Sequence, residues 1–132
     1  MTLREVIHAH IPILTEESTV RDAVDKMDVY QFPALVIVDL EHRPWAVLTE
    51  GDLCRAVSHQ ESLVQMADQP AHVYATKSPT TATADTEIGD AFHKMLMSGL
   101  SILPVTEMGR LSGVVLRIDL MHAMFLDVQS RT

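Results

Sequence analysis

The sequence predicts an α+β fold: two tandem β-α-β-β-α repeats packed sheet to sheet with pseudo-two-fold symmetry. Three observations carry this expectation. The stretch "STVRDAVDKM" at 18–27 returns as "TEIGDAFHKM" at 86–95, so that Asp22, Ala23, Lys26 and Met27 meet Asp90, Ala91, Lys94 and Met95. After each stretch the pattern changes from helical spacing to short apolar runs and back to helical spacing, in the same order. One such repeat would leave an apolar sheet face and helix stripe in water, and packing two sheets together buries both. The offset is 68 between Asp22 and Asp90 but 67 between Asp52 and Asp119, which places one extra residue of the first copy within 28–34. Two copies with so long a period exclude a solenoid. The expected division is a first repeat at 1–62 and a second at 63–132.

The elements follow in chain order. Pro12-Ile13-Leu14-Thr15 and Thr80-Thr81-Ala82-Thr83 read as short opening β-segments. Val20, Ala23, Val24 and Met27 fall at i, i+3, i+4 and i+7, as do Ile88, Ala91, Phe92 and Met95, the stripe of an amphipathic helix. Ser18 or Thr19, and Thr86, are the candidate N-caps, with Asp22 and Asp90 placed favourably in the first turn. Leu35–Val38 with Ala46–Leu48, and Ile102–Val105 with Val114–Leu116, read as buried strands joined by the turns "DLEHRP" and "TEMGR", where Gly109 strengthens the hairpin signal. A second helix closes each copy, at 50–57 and 118–126. The polar linker 58–79 contains "ESLVQMAD", a candidate short helix.

Composition narrows the function classes. The 132 residues are 47% hydrophobic and 21% charged, in the range of a soluble globular domain. Apolar runs are too short to span a bilayer, and "MTLREVIHAH" lacks the layout of a signal peptide, so membrane insertion is not expected. The single cysteine, Cys54, excludes an internal disulfide framework and fits a reducing cytoplasm. A net charge of −8 without any Lys/Arg run argues against nucleic acid. Any bound phosphate then needs a local basic corner, for which Arg43, Arg55, Lys77, Arg110 and Arg117 are available. No Gly-rich phosphate loop followed by Lys, no nucleophile triad and no paired carboxylates occur, so neither catalytic residues nor a catalytic cofactor are expected. His8 and His10 stand at i, i+2, which on a helix puts them on different sides without a third ligand, and no metal site is expected. Cys54 reads as a small apolar packing residue. Met66, Met95, Met97, Met108, Met121 and Met124 read mostly as core or dimer-interface filler. Trp45 can equally stack on a ligand or block a cleft.

The ordered recurrence resembles the CBS domain pair, a family named after cystathionine β-synthase. The second copy carries "DAFHKM", "LPV", "GRLSGVV" and "DL" in the family's order, and the first carries "DAVDKM", "VIVD" and "TEGDL". The first copy departs from the pattern at Ile37, where Pro is usual, and at Pro44-Trp45-Ala46, where Gly is usual. Together the matches span about residues 10–126. The resemblance implies a regulatory module that homodimerises and senses an adenosine-containing ligand, an adenine nucleotide (AMP, ADP, ATP) or S-adenosylmethionine, in a cleft between paired repeats. It also implies that the Thr hydroxyl and Asp carboxylate of Thr-x-x-Asp hold the ribose. Thr49, Glu50 and Asp52 are then ligand-binding candidates in the first copy, Asp119 and Arg117 weaker ones in the second, and Leu14, Thr15 and Ala34 candidates for the base slot.

The physical case for Thr49 and Asp52 is that a ribose 2′,3′-diol offers two hydroxyl donors, which a carboxylate can accept, and Thr49 adds a further hydroxyl. The same residues also make a helix N-cap close to a capping box. In the second copy Leu116 replaces the Thr, and Arg117 is open to two roles: a phosphate partner, or an ion-pair partner of Asp119. One good site per chain, at Thr49 and Asp52, is therefore expected. The alternative is a ligand-independent dimerisation module that docks onto a partner enzyme or transporter.

Overall fold

Residues 12–79 form one compact unit, and residues 1–11 with 80–132 form the other. The computed structural model describes residues 1–59 and 62–130. In the 12–79 unit the chain runs through β1 (Ile13–Leu14), α1 (Val20–Tyr30), β2 (Ala34–Val38), β3 (Pro44–Thr49), α2 (Glu50–His59) and the short α3 (Leu63–Met66). A 3-10 turn at Ala71–Tyr74 and β4 (Thr76–Lys77) follow. The sheet order is β1-β2-β3-β4, with β1 parallel to β2 and both other pairings antiparallel. All five residues of β2 are buried, as expected of an apolar run in a central strand. Leu14, Val20, Ala23, Leu35, Ile37, Leu48 and Met66 are in its core.

The other unit runs through β5 (Ala82–Thr83), α4 (Ile88–Ser98), β6 (Ile102–Glu107), β7 (Arg110–Leu116) and α5 (Arg117–Ser130), with sheet order β5-β6-β7. Met108 and Gly109 both take positive φ between β6 and β7, the backbone of a two-residue I′ hairpin. Leu3, Ile88, Ala91, Met95, Leu103, Val105, Val115 and Leu120 are in the core of this unit.

Several repeated residues have visible work. The Lys26 ammonium donates to the Ile13 carbonyl at 2.8 Å, and Lys94 donates to that of Thr81 at 2.6 Å, so each tethers its helix to the opening segment. Ala23 and Ala91 are fully buried, where a small side chain lets the helix lie close to its neighbours. Thr19 caps α1 in a capping box with Asp22, whose carboxyl is held below the usual range chiefly by the Thr19 backbone N–H. The second cap differs from expectation. Glu87, not Thr86, occupies the N-cap position of α4, and it makes no side-chain cap bond. The first amide of that helix, on Ile88, instead donates to the Met1 carbonyl at 3.1 Å.

That bond belongs to a reciprocal arrangement which extends the repeat to the start of the chain. Leu3 N–H donates to the Thr86 carbonyl at 2.9 Å, and Ala71, at the matching position, donates to Ser18 at 2.8 Å. Val20 N–H donates to the Gln69 carbonyl as Ile88 does to Met1. Thr2 bridges Glu87 as Pro70 bridges Thr19, and His8 pairs with Val114 as Thr76 pairs with Val47. Residues 1–11 thus pack with the unit whose other strands lie beyond residue 80, and residues 69–77 pack with the unit at 12–79. The packing partition therefore differs from a cut at 62/63, because sheet hydrogen bonds and the buried Leu3 tie the N-terminal segment to the 80–132 elements.

Candidate functional site

The antiparallel return of β3 fixes the first corner. Thr49, its last residue, pairs with Ala34, the first residue of β2, and Glu50 N–H donates to the Pro33 carbonyl at 2.9 Å. The chain then turns directly into α2. Thr49 Oγ1 accepts the Asp52 N–H at 3.0 Å, while Asp52 Oδ2 accepts the Thr49 N–H at 2.9 Å, the reciprocal pair of a capping box. Asp52 Oδ1 accepts from Arg55 Nη2 at 2.6 Å, one turn further along α2. A Cβ on Gly51 would lie 3.3 Å from Arg55 Nη1, so the glycine leaves room for the guanidinium over the helix start. Each Asp52 oxygen accepts one protein hydrogen bond here, which leaves each a second lone pair. The Thr49 hydroxyl hydrogen is not used by the cap. Cap and binding chemistry are therefore compatible on the same two side chains, with the carboxylate only 12% exposed.

The second corner is built differently. Leu116 has no hydroxyl, so only half of the capping box forms: Asp119 Oδ2 accepts the Leu116 N–H at 2.8 Å. The same oxygen lies 2.8 Å from His8 Nε2 of the N-terminal segment. A carboxylate can only accept, so His8 is the donor and both lone pairs of Oδ2 are taken. Arg117 is exposed, and of its two open roles the ion pair with Asp119 does not form among the described residues; His8 stands there instead. His122, not an arginine, stands three residues after Asp119.

Of the base-slot candidates, Ala34 lies at the Thr49 corner as the strand partner of Thr49, whereas Leu14 and Thr15 lie towards the other end of β2. Leu14 and Ala34 are buried. Thr15 is exposed and lines a cleft of about 680 Å³ with Asp39, Arg43 and Trp45. Because β1 runs parallel to β2, Thr15 emerges near Val38, whereas antiparallel β3 returns Thr49 to Ala34. Four residues of extended strand separate those ends, about 13 Å. Glu50 instead lines a cleft of about 720 Å³ between α1 and α2, with Val24, Met27, Phe32, Leu53 and Cys54. Cys54 is exposed, unlike the packed residue expected, because its neighbour Leu53 takes the inward position. Met66 and Met95 are buried, whereas Met97 and Met108 are exposed, Met108 on the hairpin turn.

Sequence reasoning missed the role of the linker. Trp45 meets His72 with ring centroids 5.2 Å apart, and Lys77 Nζ lies 5.5 Å over the indole. The turn before β3 is organised by Asp39, whose carboxylate accepts from the Glu41 and Arg43 N–H groups and from Arg43 Nε. The Arg43 backbone N–H is the main cause holding that carboxyl below its usual range. Among the described residues no three His, Cys, Asp or Glu side chains are arranged to hold a metal ion, and no helix is long and apolar enough to cross a membrane.

Comparison with known proteins follows this geometry. The family model described as "CBS domain" matches the chain twice, at residues 3–59 and 71–126. An uncharacterised 17.7 kDa protein of Acidianus ambivalens is 30% identical over 127 residues, 96% of this chain and 74% of that protein. Among solved structures, the AcuB protein of Vibrio cholerae, described as a putative acetoin utilization protein, superposes with a TM-score of 0.85 at 17% identity, over 100% of this chain and 97% of that one. CBSX2 in complex with AMP superposes with a TM-score of 0.81 at 19% identity, over 95% and 96% of the two chains. At these identities the structural likeness speaks to the fold.

Proposed function

The chain belongs to the CBS-domain family, which it enters as a tandem pair, and on that premise we propose that it is a regulatory module binding one adenosine-containing ligand per chain at Thr49 and Asp52. The observation that carries this reading is the state of the Asp52 carboxylate, each of whose oxygens has one acceptor site left. A ribose 2′,3′-diol donates one hydrogen bond to each oxygen without displacing the cap. The Thr49 hydroxyl adds a donor. Arg55, already at the carboxylate, has remaining guanidinium N–H groups for a phosphate. Adenosine as the ligand class comes from the likeness to CBSX2, which was solved with AMP; AMP, ADP, ATP and S-adenosylmethionine all carry the diol.

The same reading makes the protein a cytoplasmic homodimer that signals to a partner enzyme or transporter. Exposed apolar side chains on α5, among them Phe125 and Val128, and the apolar cleft between α1 and α2 support a helix-to-helix dimer contact. A ligand signals through such an assembly only where two packings differ in affinity for it.

A thermal-shift panel of AMP, ADP, ATP and S-adenosylmethionine tests the proposal. Ligand at about 100 times Kd adds about 2.7 kcal/mol, a rise of several degrees in a chain this size. Asp52→Asn abolishes that rise. If no adenosine compound moves the melting temperature of the wild-type chain, the sensor reading is wrong and a ligand-independent docking module stands in its place.

A further inference from the structure

We infer that His8 is a built-in latch: its side chain occupies the Asp119 carboxylate and keeps the second corner closed to a diol until the imidazole swings away. This rests on the proposed use of the Thr-x-x-Asp corners for adenosine ligands, and adds how the second of them is regulated. Two independent features carry it. The first is the hydrogen-bond inventory at Asp119, where Oδ2 is filled by Leu116 N–H and His8 Nε2. Only Oδ1 remains, so a diol cannot take one oxygen with each hydroxyl, as it can at Asp52.

The second feature is a seat shaped for the segment. His8 N–H donates to the Val114 carbonyl at 2.9 Å and Val114 N–H donates to that of His8 at 3.1 Å, adding the segment to the edge of β7. Gly113 makes this approach possible, since a Cβ there would lie 2.5 Å from the His8 carbonyl oxygen. Ala46, which has a Cβ, pairs with Lys77 at the matching position of the other unit. Further along the segment, Arg4 bonds the carboxylates of Asp85 and Glu107. The His8 side chain is 43% exposed and Asp119 21%, so the contact can open without unpacking the core.

The latch differs from the first corner in where the cation-capable donor comes from. Arg55 and Asp52 share a helix, so that pair stays together, whereas His8 lies 111 residues from Asp119 on a separate element. Moving the imidazole away frees one lone pair of Oδ2, while the Leu116 N–H keeps the other.

Calorimetric titration of the intact protein with AMP, and separately with S-adenosylmethionine, carried to millimolar ligand, counts the sites. One site per chain in the wild type, two in His8→Ala and one in His8→Gln, whose amide keeps a donor, is the expected result. The extra site disappears again in His8→Ala/Asp119→Asn. One site in both wild type and His8→Ala overturns the latch and leaves the Asp52 site standing. Two sites in the wild type overturn it as well. No binding by any variant removes the adenosine reading and the latch together.

Discussion

Two carboxylates at matching positions of the repeat, Asp52 and Asp119, each accept the backbone N–H three residues earlier, yet they are satisfied by different means. Asp52 sits in a complete capping box and takes its charged partner from its own helix. Asp119 has lost the hydroxyl partner and takes its second donor from the other end of the chain. These two helix starts share a carboxylate but not a fixed accessory set. What remains unsatisfied after the cap is formed decides whether the corner can also hold a ligand.

The largest expected effect is on binding. Asp52→Ala removes two hydrogen bonds from the diol to a charged group, each about 1.5–3 kcal/mol, and weakens the adenosine ligand by about 100-fold or more in a titration. Asp119→Ala in the wild-type chain leaves affinity within about threefold, and equal losses in the two variants would end the contrast between the corners.

Next comes Gly113→Val, which forces a side chain into the His8 carbonyl. It costs about 1–3 kcal/mol or expels the segment, and the melting temperature falls by several degrees. Ala46→Gly at the matching place costs about 1 kcal/mol or less, through strand entropy alone. If Gly113→Val melts like the wild type with His8 N–H still protected from exchange, the tight seat is refuted.

Cap chemistry gives a smaller difference. Thr49→Ala loses about 0.5–2 kcal/mol in a denaturant midpoint, whereas Leu116→Thr completes the second box and gains stability, less the apolar burial it gives up. A loss at both positions would mean that Leu116 is held for packing and that the box adds nothing there.

The smallest effect is on acid stability. Asp22 and Asp39 have folded-state pKa values below the ordinary 3.8. Their contribution is therefore present above about 3.8 and is lost as pH falls through the lower folded values. Carboxyl NMR titration checks this: both groups titrate below 3.8, and Asp39→Asn narrows the acid limb of the stability curve. Midpoints at or above 3.8 for both would contradict it.

The two α-stripes, the two hairpins and the second helices were all legible, because period and turn chemistry are local signals and each was written twice. Thr49 and Asp52 were legible as a pair from the local Thr-x-x-Asp spacing at a helix start, although the second copy has Leu116 in place of the Thr. The N-terminal segment was not, since its pairing with Val114 is a contact across more than a hundred residues and no local pattern announces it. The missing sign was the offset itself: Leu3 and Ala71 keep the repeat, but a Leu matched to an Ala carries little weight by eye. His8 was set aside as a metal ligand with His10 and given no other role, and it is the partner of Asp119. Thr15 was grouped with Thr49 by the family resemblance, and strand direction separates them within their unit. Gly113 is legible only in retrospect, since its reason is a backbone from elsewhere in the sequence.

The central claim is that Asp52 anchors an adenosine ligand while Asp119 is closed. Side-by-side calorimetric titrations of the wild type, Asp52→Asn and Asp119→Asn with AMP, ATP and S-adenosylmethionine test it most directly. One site per chain, abolished in Asp52→Asn and unchanged in Asp119→Asn, is the predicted result. Binding that survives Asp52→Asn but is lost in Asp119→Asn would contradict it.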